Sequence, residues 1–475
     1  MTIRDIQQRL LARECTCVQL IQTHLEAIKR DNPRLRAFIT VTEEQAVAAA
    51  ARVDADIAAG KPIHPLAGVP MTLKDNISTR RIRTTCGSRM LEHYTPVYDA
   101  TVWERLQACG AVLMGKSNLD EFAMGSTGET SYFGATKHPL DETRVPGGSS
   151  GGTACAVAAG LVTYGLGSDT GGSIRQPTAF CGAVGLKPTY GTVSRYGLVA
   201  HASSLDQIGP IAATVEDVAT VYDAISTPDP RDATCVGKRE SAVAHLNDSL
   251  KGMRIGMVTT GSEWVEPMVL VALERAADVY RSLGAVIVPV ELPLLKYAIP
   301  AYHVIAGAEA ASNLARFDGI RYGYDAGDAV TTRTQGFGTV VKQRIVFGTY
   351  VLQKQQYARY YEKAVAFRRQ TAQMFEAAFE QVDLLLMPTT STVAFRTPAS
   401  AYTDPDDLFF ADTFTASVNL AGIPAVSVPC GSDLSGLPIG MQLVGKRFAE
   451  PTVLNAAHRF EQATDAVFVR QGVVW

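Results

Sequence analysis

The sequence predicts a layered α/β fold, on three observations. The chain has 475 residues, 47% hydrophobic and 19% charged, so it can bury a large core. Apolar runs of strand length recur between residues 68 and 444. Stretches of helical period lie between them, and strands alternating with helices call for helices packed on a sheet.

Each element has its own signal. Residues 3–59 read as helices, with Ile3, Ile6 and Leu10, then Leu20, Ile21, Leu25 and Ile28, at helical spacing. Gly60, Pro62 and Pro65 punctuate, and Gly68–Leu73 reads as a strand running into Lys74. A helix over 99–109 precedes a strand at Ala111–Met114. Ala154–Ala159 reads as a small-residue helix stopped by Gly160, and Leu161–Leu166 as a strand running into Ser168-Asp169-Thr170. Further strands are predicted at Arg254–Val258, Ala285–Val290, Val382–Met387, Ala425–Val428 and Ile439–Val444, with helices over 213–225, 266–283 and 341–380. Thr227–Ser241 and Pro398–Asp407 read as loops, and neither has the character of a domain boundary. No internal repeat or low-complexity linker divides the chain.

Composition narrows the function. A net charge of -3 supplies no electrostatic footprint for nucleic acid, so any RNA contact is local or made by a partner. The eight cysteines are scattered, with no CxxC and no zinc-finger spacing. Cys155 and Cys181, among small apolar neighbours, read as buried inert thiols, and this usage predicts a reducing cytoplasm. No apolar segment of signal-peptide type follows Met1, and the apolar stretch 153–166 is broken by Gly160 and too short to span a bilayer.

The chemistry-bearing residues concentrate in three segments: Lys74, the string Gly147-Gly148-Ser149-Ser150-Gly151-Gly152, and the stretch Gly167–Pro177 containing Ser168, Asp169, Thr170, Gly171, Gly172, Ser173 and Arg175. A hydroxyl nucleophile needs a base, and a developing oxyanion needs backbone N–H donors. Two hydroxyls, one amine and glycine-dense backbone supply both, so the segments point to serine-based acyl transfer without histidine. A flexible-linker reading of the glycine–serine string suits neither its flanks, Arg144-Val145-Pro146 and an alanine-rich helix, nor the rest of the chain.

Two other motifs compete. G-x-S-x-G frames centre on Ser149 and Ser150, but a nucleophile elbow needs a strand before the serine, and His138–Arg144 is polar and proline-broken. Chain order alone leaves Asp412 and His458 available as triad partners; His458 reads better as a helix-surface histidine. Gly110–Ser117 fits the P-loop pattern, yet its middle residues, Ala111-Val112-Leu113-Met114, read as a buried strand rather than an exposed phosphate cradle. For Lys74 to act as a base its pKa must fall, and burial behind the apolar run Val69–Leu73 does that.

In these segments the chain resembles the amidase-signature hydrolases. The resemblance implies one large layered domain over 1–475, a central mixed β-sheet covered by helices on both faces. Its N-terminal helices would lie in 1–60, its signature core in 61–210, and the remaining sheet and helical pocket region in 211–475. It implies a Ser–cis-Ser–Lys triad: Ser173 the nucleophile, Ser149 the bridging serine after a cis bond from Gly148, and Lys74 the base. The oxyanion hole would be backbone N–H groups of Thr170, Gly171, Gly172 and Ser173. Ser150 and Ser168 would hydrogen-bond the loop, and Asp169 and Arg175 read first as a structural ion pair.

Four further stretches, Ser194–Ala200, Ser203–Pro210, Ser312–Gly323 and Ser417–Pro424, resemble one branch of that family, the glutaminase subunits of tRNA-dependent amidotransferases. His138, before Pro139, is a small departure in a loop. That likeness implies L-glutamine as substrate, with Arg344 holding its carboxylate, Asp412 its ammonium and Tyr302 adding a hydrogen bond. It implies no metal or cofactor in this chain. It implies two partners, the amidotransferase B and C subunits: the first binds ATP and Mg²⁺ and makes most of the contact with misacylated tRNA, and the second is small. The complex would lie in the cytoplasm, away from membranes. The ammonia would convert Glu-tRNA(Gln), or Asp-tRNA(Asn), to the amide form. The alternative is a stand-alone amidase acting on small amides, which would share the triad and differ in the pocket.

Overall fold

The computed structural model describes residues 1–238, 240–398 and 412–464. Its centre is one eleven-stranded sheet. The strands are β1 (Phe38–Val41), β2 (Pro70–Lys74), β3 (Val112–Ser117), β4 (Tyr164–Asp169), β5 (Val184–Lys187), β6 (Gln207–Ala212), β7 (Arg254–Val258), β8 (Val286–Val290), β9 (Leu384–Pro388), β10 (Ala425–Ser432) and β11 (Pro438–Gly445), ordered β1-β3-β2-β4-β6-β5-β10-β11-β9-β7-β8. The sheet is mixed: β3-β2-β4 and β9-β7-β8 run parallel, and the remaining neighbours are antiparallel.

Every residue of β2, β3, β4, β5, β6, β9 and β11 is buried. Successive side chains of a strand point to opposite faces, so both faces are covered along these strands. The edge strands β1 and β8 are partly exposed. Helices flank the sheet. Ile3–Leu11 and Cys17–Leu35 each open on a capping box, Thr2 with Asp5 and Thr16 with Gln19, and bury Ile3, Ile6, Leu10, Leu20, Ile21, Leu25 and Ile28. Among the described residues no helix is long and apolar enough to cross a membrane.

Several elements differ from the sequence reading. The span 3–59 is interrupted by β1, only four residues long and entered through Arg36 in the left-handed region. The strand expected at 161–166 begins at Tyr164 and continues through Ser168-Asp169, because Leu161 closes the preceding helix by donating to Ala156 O. The span 341–380 is three helices, Thr339–Val351, Lys354–Tyr357 and Tyr361–Gln381. β5, β6 and the helix Ala298–Asn313 were not anticipated; β6 carries Gly209-Pro210, a pair that argues against a central strand. His458 is corrected from surface to core: it is 7% exposed on the helix Glu450–Thr464, whose packed face includes Leu454, Ala457 and Phe460. Of the loop expected at 398–407, all but Pro398 lies outside the described residues.

The topology positions the site. β2 and β4 are parallel neighbours, with Leu73 opposite Leu166. Their carboxyl ends therefore bring Lys74 and Ser168 together at the same end of two central strands. The helix Gly151–Ala158, which begins two residues after Ser149, packs against β4.

Candidate active site

Lys74 ends a fully buried strand and is itself 0% exposed. Its Nζ donates to Ser149 Oγ at 2.7 Å, Ser168 Oγ at 2.9 Å and Ser168 O at 3.2 Å. Three hydrogens thus meet three acceptors, the full capacity of an ammonium. Burial pushes the Lys74 ammonium down to about 7, against the pull of Asp120, Asp169 and Asp206. Ser168, expected to serve the loop, is a direct partner of the lysine, and Asn76 Nδ2 donates to the same hydroxyl at 2.9 Å.

The two glycine–serine segments are tied to each other. The Gly148–Ser149 peptide is cis. Gly148 N donates to Gln176 Oε1 at 2.8 Å, and Ser150 N to Ser173 O at 3.1 Å. A Cβ on Gly148 would overlap the Asp120 carboxylate, which itself accepts from Gly128 N, Thr130 N and Thr130 Oγ1. Ser173 is 8% exposed and opens onto a cavity. Lys74 and Ser149 are joined directly; Ser149 and Ser173 are joined through backbone rather than by a hydroxyl–hydroxyl bond.

A buried ion pair shapes the loop around Ser173. Arg175 Nε lies 3.1 Å from Asp169 Oδ2, both fully buried. The Asp169 carboxylate also accepts from Gly172 N at 2.8 Å and Ile174 N at 3.1 Å. Burial works against its ionisation, but the Arg175 guanidinium, the Lys187 charge and the Asn419 hydrogen bond together outweigh it and hold Asp169 at about 2. Arg175 reaches further, to Thr415 O at 3.0 Å, Asn419 Oδ1 at 2.5 Å and Gln442 Oε1 at 3.0 Å.

This network also engages one residue of the expected oxyanion hole. The single N–H of Gly172 is already given to Asp169, so it has no hydrogen left for a substrate oxygen. Gly171, Gly172 and Ser173 all line the cavity, with Thr170 beside them, its hydroxyl on Asp206 Oδ1 at 2.6 Å. Gly172 has φ +138°, and a Cβ there would overlap Thr415.

The cavity measures about 390 Å³. Ser173 lies on one wall, and the expected pocket residues Tyr302, Arg344 and Asp412 line it too. Tyr302 comes from the helix Ala298–Asn313 and Arg344 from Thr339–Val351, while Asp412 precedes Thr413–Ala421. Burial pushes the Asp412 carboxyl up to about 7, a hydrogen bond from Ser126 only partly opposing it. Burial also lowers the Arg344 pKa and raises that of Tyr302. Two histidines that the sequence did not single out, His201 and His303, share the wall.

The P-loop pattern has no cradle. Val112–Ser117 is buried strand, and Lys116 Nζ is spent on Asp75 Oδ1 at 3.1 Å, Ile77 O and Thr84 Oγ1. Cys155 and Cys181 are buried and free, with burial pushing both thiols up. Among the described residues no group of three or more His, Cys, Asp or Glu side chains is placed to hold a metal ion.

The Amidase family model matches residues 19–454. The glutamyl-tRNA(Gln) amidotransferase A subunit of Carboxydothermus hydrogenoformans is 50% identical, covering 98% of this chain and 97% of the relative. That of Synechococcus sp. (strain CC9605) is 49% identical over 98% and 96%. Among solved structures, the glutamyl-tRNA(Gln) amidotransferase A subunit of Thermotoga maritima superposes with a TM-score of 0.82 at 40% identity, over 97% of this chain and 94% of that one. The peptide amidase of Stenotrophomonas maltophilia superposes with a TM-score of 0.86 at 33% identity, over 98% and 97%.

Proposed function

The chain belongs to the amidase family, and on that premise we propose that it is the glutamine-hydrolysing subunit of a tRNA-dependent amidotransferase. One observation carries the reading: a single cavity holds a serine supported by a lysine–serine pair on one wall and an arginine and an aspartate on the others. An α-amino acid amide needs a cation and an anion to hold its two charged groups. A simple amide needs neither.

Ser173 Oγ attacks the carboxamide carbon of glutamine and gives its proton to Ser149, which passes one to neutral Lys74 Nζ. Burial lowers the Lys74 pKa to about 7, which makes the neutral amine accessible near neutral pH. The 2.7 Å hydrogen bond supports the lysine half of this relay. The serine half closes when substrate fills the cavity, since catalytic hydrogen bonds tighten on substrate binding. Charge developing on the carbonyl oxygen is met by the N–H groups of Gly171 and Ser173; losing one such donor costs about 10²–10³ in rate. The C–N bond then breaks, the relay returns its proton to the departing nitrogen, and ammonia leaves a glutamyl ester on Ser173. Water hydrolyses the ester to glutamate.

Arg344 pairs with the substrate carboxylate as a planar fork, and Asp412 with the ammonium. Tyr302 lies over Gly171 and adds a hydrogen bond. The ammonia passes to a larger partner that binds ATP, Mg²⁺ and the misacylated tRNA, with a small third component joining the two, all in the cytoplasm. The test is ammonia release from L-glutamine by the chain alone and with its two partners, with Ser173→Ala as control. Turnover raised by the partners and abolished in the variant supports the reading. Brisk partner-independent turnover of simple amides, with none of glutamine, replaces it with a stand-alone amidase.

A further inference from the structure

Two cavity-lining histidines have no part in the relay. His303 Nδ1 lies 2.8 Å from Arg344 Nη1. A guanidinium only donates, so Nδ1 is the acceptor and the imidazole proton sits on Nε2. The pair joins two helices, Ala298–Asn313 and Thr339–Val351. These helices cross closely at two glycines: a Cβ on Gly348 would overlap Gly307 O. His303 and Arg344 each lie four residues before the crossing glycine of their own helix, and residues four apart share a helix face. The crossing therefore sets the height at which imidazole and guanidinium meet. Burial pushes His303 down to about 3, and the Arg344 charge pushes the same way, so His303 remains an acceptor throughout the physiological range.

His201 presents the complementary observation. It is 4% exposed; the Ala123 backbone lies near its ring but outside hydrogen-bond geometry, so neither ring nitrogen is satisfied among the described residues. Burial, with the Arg344 charge next, pushes it down to about 3, so it is neutral and carries one N–H. A buried donor with no acceptor marks a place for a missing partner, and the cavity is beside it. A carboxylate has about four acceptor positions. A bidentate arginine occupies two and leaves others for a second donor.

We propose that these histidines complete the carboxylate end of the pocket: His303 is a positioning residue that orients the Arg344 fork, and His201 is a specificity residue that donates its ring N–H to the substrate carboxylate. The proposal rests on the glutaminase reading and deepens it.

The test is steady-state kinetics of the purified full chain on L-glutamine and on butyramide, which lacks both charged groups. The variants are His303→Phe, His303→Asn and His201→Phe, with thermal melts alongside. His303→Phe and His201→Phe are expected to raise KM for glutamine about tenfold or more, the worth of one hydrogen bond to a charged group. They should change kcat little and leave butyramide turnover intact. His303→Asn, whose Oδ1 stands where Nδ1 accepted, should restore the glutamine KM. Equal losses on both substrates, or an unchanged glutamine KM in both Phe variants, would overturn the proposal and leave the glutaminase reading standing. A wild-type chain that does not prefer glutamine to butyramide would overturn both.

Discussion

The carboxyl group of Glu121 accepts the backbone N–H of Gly338 at 2.8 Å, and Gly338 caps the helix that carries Arg344. Its other oxygen accepts from Ser88 Oγ at 2.5 Å. Glu121 thus fastens the segment leading to Ala123 and Met124, on the cavity wall, to the start of the arginine helix.

Glu121 is pushed up to about 7 by burial, so the folded chain keeps its proton at pH values where the unfolded chain has lost it. Its contribution to stability is complete below the ordinary glutamate range and is lost as pH rises through about 7. In Glu121→Gln, the amide can accept from Gly338 N and donate to Ser88 Oγ, and nothing titrates. Denaturant midpoints should match the wild type at pH 5 and exceed it at pH 8. A difference that does not move with pH would remove the role.

Lys74 must be neutral to accept a proton, and its pKa lies near 7. The kcat/KM for glutamine should rise with pH through about 7 and then level. Lys74→Ala should lose at least about 10²–10⁴ in kcat, the usual worth of a positioned base. A pH–rate profile on wild type and variant measures both, and a rate flat from pH 6 to 8 would exclude Lys74 as the titrating base.

Asp412 ionises near 7, so its hold on the substrate ammonium should weaken as pH falls below that. Asp412→Asn should raise KM for glutamine at pH 8 by about tenfold or more. It should also flatten the pH dependence of KM, without changing KM for butyramide. KM measured at pH 6 and 8 for both substrates separates ammonium binding from a general defect.

Asp169→Asn leaves the Arg175 charge buried without its carboxylate. Breaking a buried pair from one side costs about 3–5 kcal/mol. The variant should unfold at markedly lower urea concentration and lose activity, because Gly172 and Ile174 donate to different oxygens and an amide keeps only one of them as an acceptor. A shift under about 1 kcal/mol would mean that water or a neighbour replaces the carboxylate.

The legible parts of the sequence were those whose local pattern states its purpose. Continuous apolar runs announced β2, β3, β7, β9 and β11, and the paired glycine–serine strings announced the loops around Ser149 and Ser173. β6 was hidden by Gly209-Pro210, and β1 by its four-residue length. Ser168 looked like a loop serine because only the parallel register of β2 and β4 puts it on Lys74. Gly172 has the place of an oxyanion donor in the sequence, but Asp169, three residues earlier, holds its N–H. His201 and His303 carry no motif, and their meaning comes from segments far apart in the chain meeting at one cavity.

The reach of Arg175 has a consequence for the newborn chain. Its side chain gathers Asp169 beside the nucleophile, Thr415 and Asn419 from one helix, and Gln442 from β11. Lys74, Ser149 and Ser173 all leave the ribosome more than two hundred residues before Gln442 does. Before Thr415 emerges Arg175 lacks three of its four partners, and until Gln442 follows its brace on the loop is incomplete. A chain cut short before β11 would carry Lys74, Ser149 and Ser173 without the full brace that shapes the loop around the nucleophile.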